Sequence, residues 1–270
     1  MSLPAEADPE HDFPPDPAPV SVPVPVPVPV PDADSPADPV GAATLERMAV
    51  APRYNRWMFE RLRPWVGRRV LEIGAGIGNM SAFLMDQAGI DRVVLTDTEP
   101  FYLRRLRERF AGRPHVSVAE LRLPAVDPRH VAERLDTIVC LNVLEHIDDD
   151  RASLSALRTL LRPGGRVVLL VPALRALYGT LDRALGHVRR YVPDELSGKL
   201  RTAGFGVIHV EYFNLAGVPG WWLAGRVLRR RLIPTGALRW YDALVPLFRL
   251  ERFLPWRIGQ SLIAIGEVPA

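Results

Sequence analysis

The sequence predicts an α/β fold: a seven-stranded, mainly parallel sheet with helices on both faces and a helical lid insertion between the last two strands. Three observations carry this. Short runs of Val, Ile and Leu, bounded by Gly, Pro, Asp or Asn, recur from Arg68 onward. Stretches with helical spacing separate them, as in right-handed βαβ units. A glycine-rich turn joins the first run to the first of those helices.

Taken in order, residues 45–62 read as one or two helices carrying Tyr54, Trp57, Met58 and Phe59, placed to cap the carboxyl edge of the sheet. The runs at 68–74, 91–97, 115–121, 135–142 and 165–172 are apolar enough to be strands buried on both faces. Between them, 79–88, 100–110 and 149–161 are helical; in the second, Phe101, Leu103, Leu106 and Phe110 oppose Arg104, Arg105, Arg107 and Glu108. Thr98 is the expected cap of that helix, because Pro100 suits its first turn. A helix over 193–203 ends at Gly204, and 205–213 and 260–268 complete the sheet. Residues 214–259 are far too many for a hairpin loop and are expected to form helices over one end of the sheet.

Composition bounds the rest. The chain has 270 residues and a single cysteine, which excludes a disulfide framework and a cysteine-based metal site. Thirteen of the 27 prolines and eight acidic residues fall in residues 1–40, which contain no Lys or Arg. Proline at alternate positions from Pro23 removes backbone donors and fixes φ, so residues 1–40 are expected to be a disordered, proline-rich tail and 41–270 the folded domain. That domain holds 34 basic and 23 acidic residues, a surplus compatible with an anionic partner. The apolar stretch in the tail has no basic start and is broken by proline, so it is no secretory signal, and a cytoplasmic protein is expected.

The most informative stretch is Val70-Leu-Glu-Ile-Gly-Ala-Gly-Ile-Gly-Asn79. Its spacing is G-x-G-x-G, whereas a dinucleotide fingerprint wants G-x-G-x-x-G, where Asn79 stands here. Two residues before the first glycine is Glu72, which would repel a pyrophosphate and attract a cation. With Asp97 at the end of the second run, Asp136-Thr-Ile-Val-Cys-Leu-Asn-Val-Leu-Glu-His-Ile147, and Leu161-Arg-Pro-Gly-Gly-Arg166, this pattern resembles the class I S-adenosylmethionine-dependent methyltransferases, over about 100 residues.

The resemblance implies a Rossmann-like sheet and S-adenosyl-L-methionine as cofactor. It implies that Glu72, Gly74, Ala75, Gly76 and Gly78 surround the amino-acid end and the turn. Asp97 and Thr98 would lie at the ribose, Glu120 and Leu121 beside the adenine, and Asn142, Val143 and Leu144 along the methionine end. The family's usual residue at the position of Glu120 is Asp.

Polar residues cluster after the fifth strand, where loops over a site belong. His187 is the candidate general base and Asp182 its orienting partner; Tyr178 or Tyr191 could hydrogen-bond an acceptor, and Arg189 or Arg190 could bind a carboxylate or phosphate. His146 is a second candidate base. The Asp…Gly-His-x-Arg-Arg-Tyr pattern is similar to bacterial type 11/12-like methyltransferases. No metal is expected, since His11 and His130 lack acidic or cysteine neighbours suited to ligation.

The insert mixes Trp221, Trp222, Trp240, Tyr241, Phe248, Phe253 and Trp256 with eight arginines. It is expected to pack on the core as a lid, wall a pocket for a large apolar substrate, or rest peripherally on the inner face of a membrane. The function expected is methyl transfer to an O, N or C atom of a small or lipid-like acceptor, with no nucleic-acid partner. The alternatives are a methyltransferase-fold protein with a non-methylating or scaffold role and an NAD(P)-dependent oxidoreductase, the latter disfavoured by the glycine spacing and Glu72.

Overall fold

The computed structural model describes residues 35–126, 134–254 and 257–270. The tail up to residue 34, His130 and Trp256 lie outside them. The folded chain begins slightly before residue 41: helix α1 spans Pro39–Ala49, because the Asp38 carboxylate accepts the Val40 N–H at 3.0 Å and Pro39 fits the first turn. Helix α2 follows at Pro52–Leu62.

The strands are β1 (Arg69–Ile73), β2 (Arg92–Asp97), β3 (Val116–Glu120), β4 (Leu135–Leu141), β5 (Leu161–Pro172), β6 (Gly206–Phe213) and β7 (Ser261–Glu267), within one or two residues of expectation except that β5 starts four earlier. They form one sheet in the order β3-β2-β1-β4-β5-β7-β6. Strands β1 to β5 are parallel, and β7 runs antiparallel between β5 and β6. Strand order reverses between β1 and β4, which opens a crevice at their carboxyl ends.

Helices α3 (Asn79–Met85), α4 (Pro100–Arg109), α5 (Asp150–Leu160), α6 (Thr180–Ala184) and α7 (Pro193–Thr202) lie in the connections. The two-residue period of the strands sorts the core into two layers. Leu71, Ile138, Val167 and Leu169 pack on the face covered by Leu154, Leu157, Leu196 and Leu200 of α5 and α7. Val70, Val139, Val168 and Leu170 point the other way, toward Trp57, Phe59, Leu84 and Leu106 of α2, α3 and α4.

Thr98 does not cap α4. Glu99 occupies the cap position, and the Asp97 carboxylate takes the N–H groups of Thr98 (2.8 Å) and Glu99 (3.1 Å). Proline at the first position of the helix leaves fewer orphan donors for a threonine to satisfy.

The insert is helical as expected: α8 (Gly217–Trp222) runs into a π-helical turn, and α9 (Thr235–Phe248) into a 3-10 turn. Its inner side packs on the domain. Tyr241 lies between Tyr54 and Phe248, Trp57 meets Phe213 at 4.5 Å between ring centroids, and the backbone N–H of Tyr54 donates to the Asp242 carboxylate at 2.8 Å. Glu251 accepts from the N–H groups of Asn214 and Leu215, so the insert is tied down where β6 ends.

Phe213, at the end of β6, packs its ring against Tyr54 and Trp57 of α2, with only 1% of its surface exposed. Phe213→Ala should lower the unfolding free energy by about 3–5 kcal/mol in chemical denaturation, the range for emptying an aromatic core site; a loss below about 1 kcal/mol would show that α2 is not seated on this ring.

Candidate functional site

A cavity of about 550 Å³ opens at the carboxyl ends of β1, β2 and β4, within the size range of small-molecule sites. Helices α1 and α2 close one side with Leu45, Tyr54, Asn55 and Met58, and Trp221 and Gln260 from the other end of the chain close the opposite side.

The glycine turn forms the floor of one half. Gly76 has φ +54°, and a Cβ there would come within 2.8 Å of a Leu45 methyl; a Cβ on Gly78, at φ +79°, would strike the Phe110 ring at 2.8 Å. The first glycine thus lets α1 approach the turn, and the second lets α4 pack beneath it. Asp97 fixes the turn from β2, its carboxylate accepting the Gly76 N–H at 2.9 Å in addition to those of Thr98 and Glu99. Burial pushes its pKa up, and these three N–H groups pull it back. Oδ2 accepts only the Gly76 N–H and keeps acceptor capacity for a ligand hydroxyl.

Glu72 faces the same half, nearly buried, and accepts a 2.6 Å hydrogen bond from the Ser81 hydroxyl on α3. Burial raises its pKa to about 7, against the Ser81 hydrogen bond; the negative charge of Asp97 adds to the rise, and Arg109 opposes it. A cation beside it would favour the ionised form. Asn142 completes this half with φ +53°, a conformation rare outside glycine, held by its N–H bond to the Leu170 carbonyl at 2.8 Å.

Of the residues expected around a cofactor, Glu72, Gly74, Ala75, Gly76, Asp97, Thr98, Leu121, Asn142 and Val143 line the cavity. Three do not. Glu120 is exposed, because the last position of β3 turns its side chain outward. Leu144 is wholly buried in the core under β4, and Gly78 sits behind the turn against Phe110.

The second half is built by the loop after β4 and the loop after α6. His146 and His187 line it with rings 4.9 Å apart and edge to face. Asp182 lies beside His187: its Oδ1 is 3.2 Å from Nδ1, a nitrogen that donates to the ionised carboxylate and leaves Nε2 uncommitted to it. The same carboxylate accepts from Arg190 (2.7 Å), the Gly179 N–H (2.9 Å) and the Trp221 indole (3.2 Å). Burial works against its ionisation, but the bond to His187, the charge of Arg190 and the other donors prevail and hold its pKa below the ordinary range. Tyr178 steadies the loop by donating to the His187 carbonyl.

Tyr191 is not at the cavity. It is fully buried, donating to Asp150 (2.8 Å), which also binds Lys199 (2.5 Å) and Arg189 (2.8 Å). Tyr191 and Arg189 therefore serve an ionic knot that joins α5 to α7, whereas Arg190 reaches the cavity wall. Glu145 was not anticipated. It is wholly buried behind His187, and neither carboxylate oxygen has a hydrogen-bond partner from another residue. Its only sequence signal was its place beside His146.

Residues 71–167 match the family described as a methyltransferase domain. A ubiquinone biosynthesis O-methyltransferase of Paracidovorax citrulli is 26% identical over 163 residues, 56% of this chain and 68% of that one. A reducing polyketide synthase of Botryotinia fuckeliana is 29% identical over 58% of this chain, which spans only 5% of the synthase. Among solved structures, an S-adenosylmethionine-dependent methyltransferase from Mesorhizobium loti superposes with a TM-score of 0.55 at 16% identity, covering 78% of this chain and 97% of that one, a likeness of fold.

The raised pKa of Glu72 gives a signed pH effect. The folded state holds this proton more tightly than the unfolded chain, so the contribution to stability is full below the unfolded pKa and is lost as pH rises through about 7. Between about pH 4.5 and pH 8 the wild type should lose about 3 kcal/mol more stability than Glu72→Gln in urea titrations, taking about 1.4 kcal/mol per pKa unit; parallel pH profiles would show that the carboxyl ionises normally.

Proposed function

We propose that the chain carries a class I S-adenosylmethionine-dependent methyltransferase domain and that it methylates a small, largely apolar or lipid-like acceptor held against His146, His187 and Trp221. The observation that supports this most directly is that one continuous cavity contains both the glycine turn with its two carboxylates and the histidine pair. The relatives named for ubiquinone biosynthesis and polyketide synthesis support an acceptor of small-molecule type. Acceptor atom and reaction partner remain those of an O-, N- or C-methylation.

The cofactor supplies a methyl group on a sulfonium, which an in-line nucleophile displaces. The protein's part is positional. Glu72 offers negative charge to the cationic amino-acid end, and Asp97 offers acceptor capacity to the ribose hydroxyls. His187, held through Nδ1 by Asp182, lines the acceptor half, and Leu45, Met58 and Val143 give the cavity an apolar wall.

The outer face of the insert supports a lipid-like acceptor met at a membrane surface. Eleven of the fourteen large apolar side chains left exposed among the described residues lie between Trp222 and Ile258. On α9, Trp240, Leu244 and Leu247 share one exposed face, while Leu238, Asp242 and Val245 are buried on the other. Eight arginines accompany them against two acidic residues, Asp242 and Glu251, giving charge complementarity to anionic headgroups. No helix among the described residues is long and apolar enough to cross a bilayer, so the contact proposed is peripheral.

Equilibrium binding tests the premise. S-adenosylhomocysteine should bind at micromolar concentration and tighten roughly tenfold from about pH 6 to pH 8 as Glu72 ionises. Gly76→Arg and Asp97→Ala should abolish it; preference for NAD would overturn the reading. Incubation of cell extract with labelled cofactor should yield a product heavier by one CH2 unit. Binding without any such product would establish the non-methylating alternative. His187→Ala should lower turnover with cofactor affinity nearly intact, and unchanged turnover would remove it from the acceptor site.

Anionic liposomes should co-sediment the protein, and Trp240→Ser with Leu247→Ser should release it. Equal partition to neutral and anionic vesicles, or none, would leave the insert as a lid only.

A further inference from the structure

Glu145 poses a physical problem that the methyltransferase reading leaves unsolved. A carboxyl group with no exposed surface normally recruits donors to every oxygen, yet both of its oxygens are without a partner from another residue. Arg190 is committed through Nε and Nη1 to Asp182 and to the Ala173 carbonyl; its Nη2 is itself buried without a hydrogen-bond partner, so its positive charge acts on Glu145 without bonding it. Beside that unbonded charge, what faces Glu145 is acceptor capacity. His187 Nε2 lies 3.9 Å from Glu145 Oε1, and one ring nitrogen of His146 joins them, all three atoms lying within 4.8 Å of one another.

Lone pairs converging on one point repel unless a cation or a proton sits between them. One shared proton satisfies two of the three groups and leaves the third. A divalent cation satisfies all of them, because imidazole nitrogens and a carboxylate oxygen each bind zinc-type ions at about 2.0–2.2 Å, so that ligand atoms settle about 3–4 Å apart. The ligand atoms lie within 4.8 Å of one another, wider than a bound ion would hold them, so binding would draw them together.

We propose that Glu145, His146 and His187 form a binding site for a divalent transition-metal ion of the zinc or cobalt type. The surroundings support a built site. Asp182 accepts from Nδ1 of His187 and so turns Nε2 toward Glu145, the arrangement in which an outer carboxylate orients a histidine ligand. Asp182 is itself held by Arg190, Gly179 and Trp221, so the ligand ring is positioned by three further groups. Two neutral imidazoles and one carboxylate are a donor set of intermediate softness, which favours zinc, cobalt or iron over magnesium or calcium.

The three ligands come from two loops and leave one side open to the cavity, where both histidines are wall residues. The ion therefore has a vacant coordination position facing the acceptor half. Its consequence for function rests on the methyltransferase reading: an acceptor presenting an oxygen or nitrogen donor would be anchored there, and the lone pair of His187 would serve the ion in place of a proton. Ion binding itself does not depend on that reading.

The test is a titration of the full chain, free of any polyhistidine tag, with cobalt(II) chloride after treatment with chelator, followed by the visible ligand-field bands of bound Co2+. One equivalent should bind with micromolar affinity and give the intense bands of a four- or five-coordinate ion. The bands should vanish in the His146→Gln/His187→Gln double variant and weaken at least about tenfold in affinity in Asp182→Asn, as for loss of an orienting partner. Trp240→Ser, far from the cluster on the exposed insert, should bind as wild type. Circular dichroism melts confirm that each variant is folded, and Glu145→Gln gives a nearly isosteric second probe. The proposal is overturned if no bands form up to millimolar Co2+, or if bands persist in the double histidine variant, since the metal then sits at other histidines. Cobalt binding without S-adenosylhomocysteine binding would retain the metal site and remove the methyltransferase reading; the reverse would remove the metal site alone.

Discussion

The architecture of the cavity depends on one carboxylate at a crossing of backbones. Asp97 ends β2, receives the Gly76 N–H from the turn after β1 and the Thr98 and Glu99 N–H groups from the start of the next connection. Three donors that would otherwise be orphaned in a buried position are satisfied at once, and two neighbouring strand ends are locked in register. The left-handed glycines make the turn tight enough to reach that carboxylate, and α1 and α4 approach only because those glycines lack side chains. Fold and site are thus one construction: the groups that close the turn are the groups that line the cavity.

What was legible in the sequence follows from the range of the interactions involved. The strands were readable because apolar runs bounded by turn residues are local signals, and all seven emerged close to their expected limits. The glycine turn, Glu72 and Asp97 were readable because each sits at a fixed offset from a strand end. Thr98 misled because capping was judged from Thr98 and Pro100, whereas Asp97, one residue earlier, took the donors. Glu120 and Leu144 misled because a single position decides whether a side chain at a strand end faces cavity, core or solvent.

The loop after β5 shows the opposite limit. The pairing of Asp182 with His187 was inferable, since the two are five residues apart. The fate of Tyr191 was not, because its partner Asp150 is distant in sequence and reaches it only through the packing of α5 beside α7. Glu145 was hidden for the same reason. Its neighbours in space are His187 and Arg190 rather than the strand from which it emerges, and nothing local marks a carboxyl that will be sealed away without a donor. The aromatic insert divided along a line that composition does not draw: Tyr241 and Phe248 turned inward onto Tyr54, while Trp222, Trp240 and Phe253 stayed outside.

Helix α1 touches both ends of this arrangement. Leu45 rests over Gly76, and its carbonyl takes the Asn79 side-chain amide at 3.0 Å; two residues later Arg47 donates to the carbonyl of Ile233 in the insert at 2.6 Å. Eleven residues thus form a strut whose two bearings are the glycine turn and the segment of the insert that precedes α9. The segment before α9 and the floor of the cavity therefore lean on one and the same short helix.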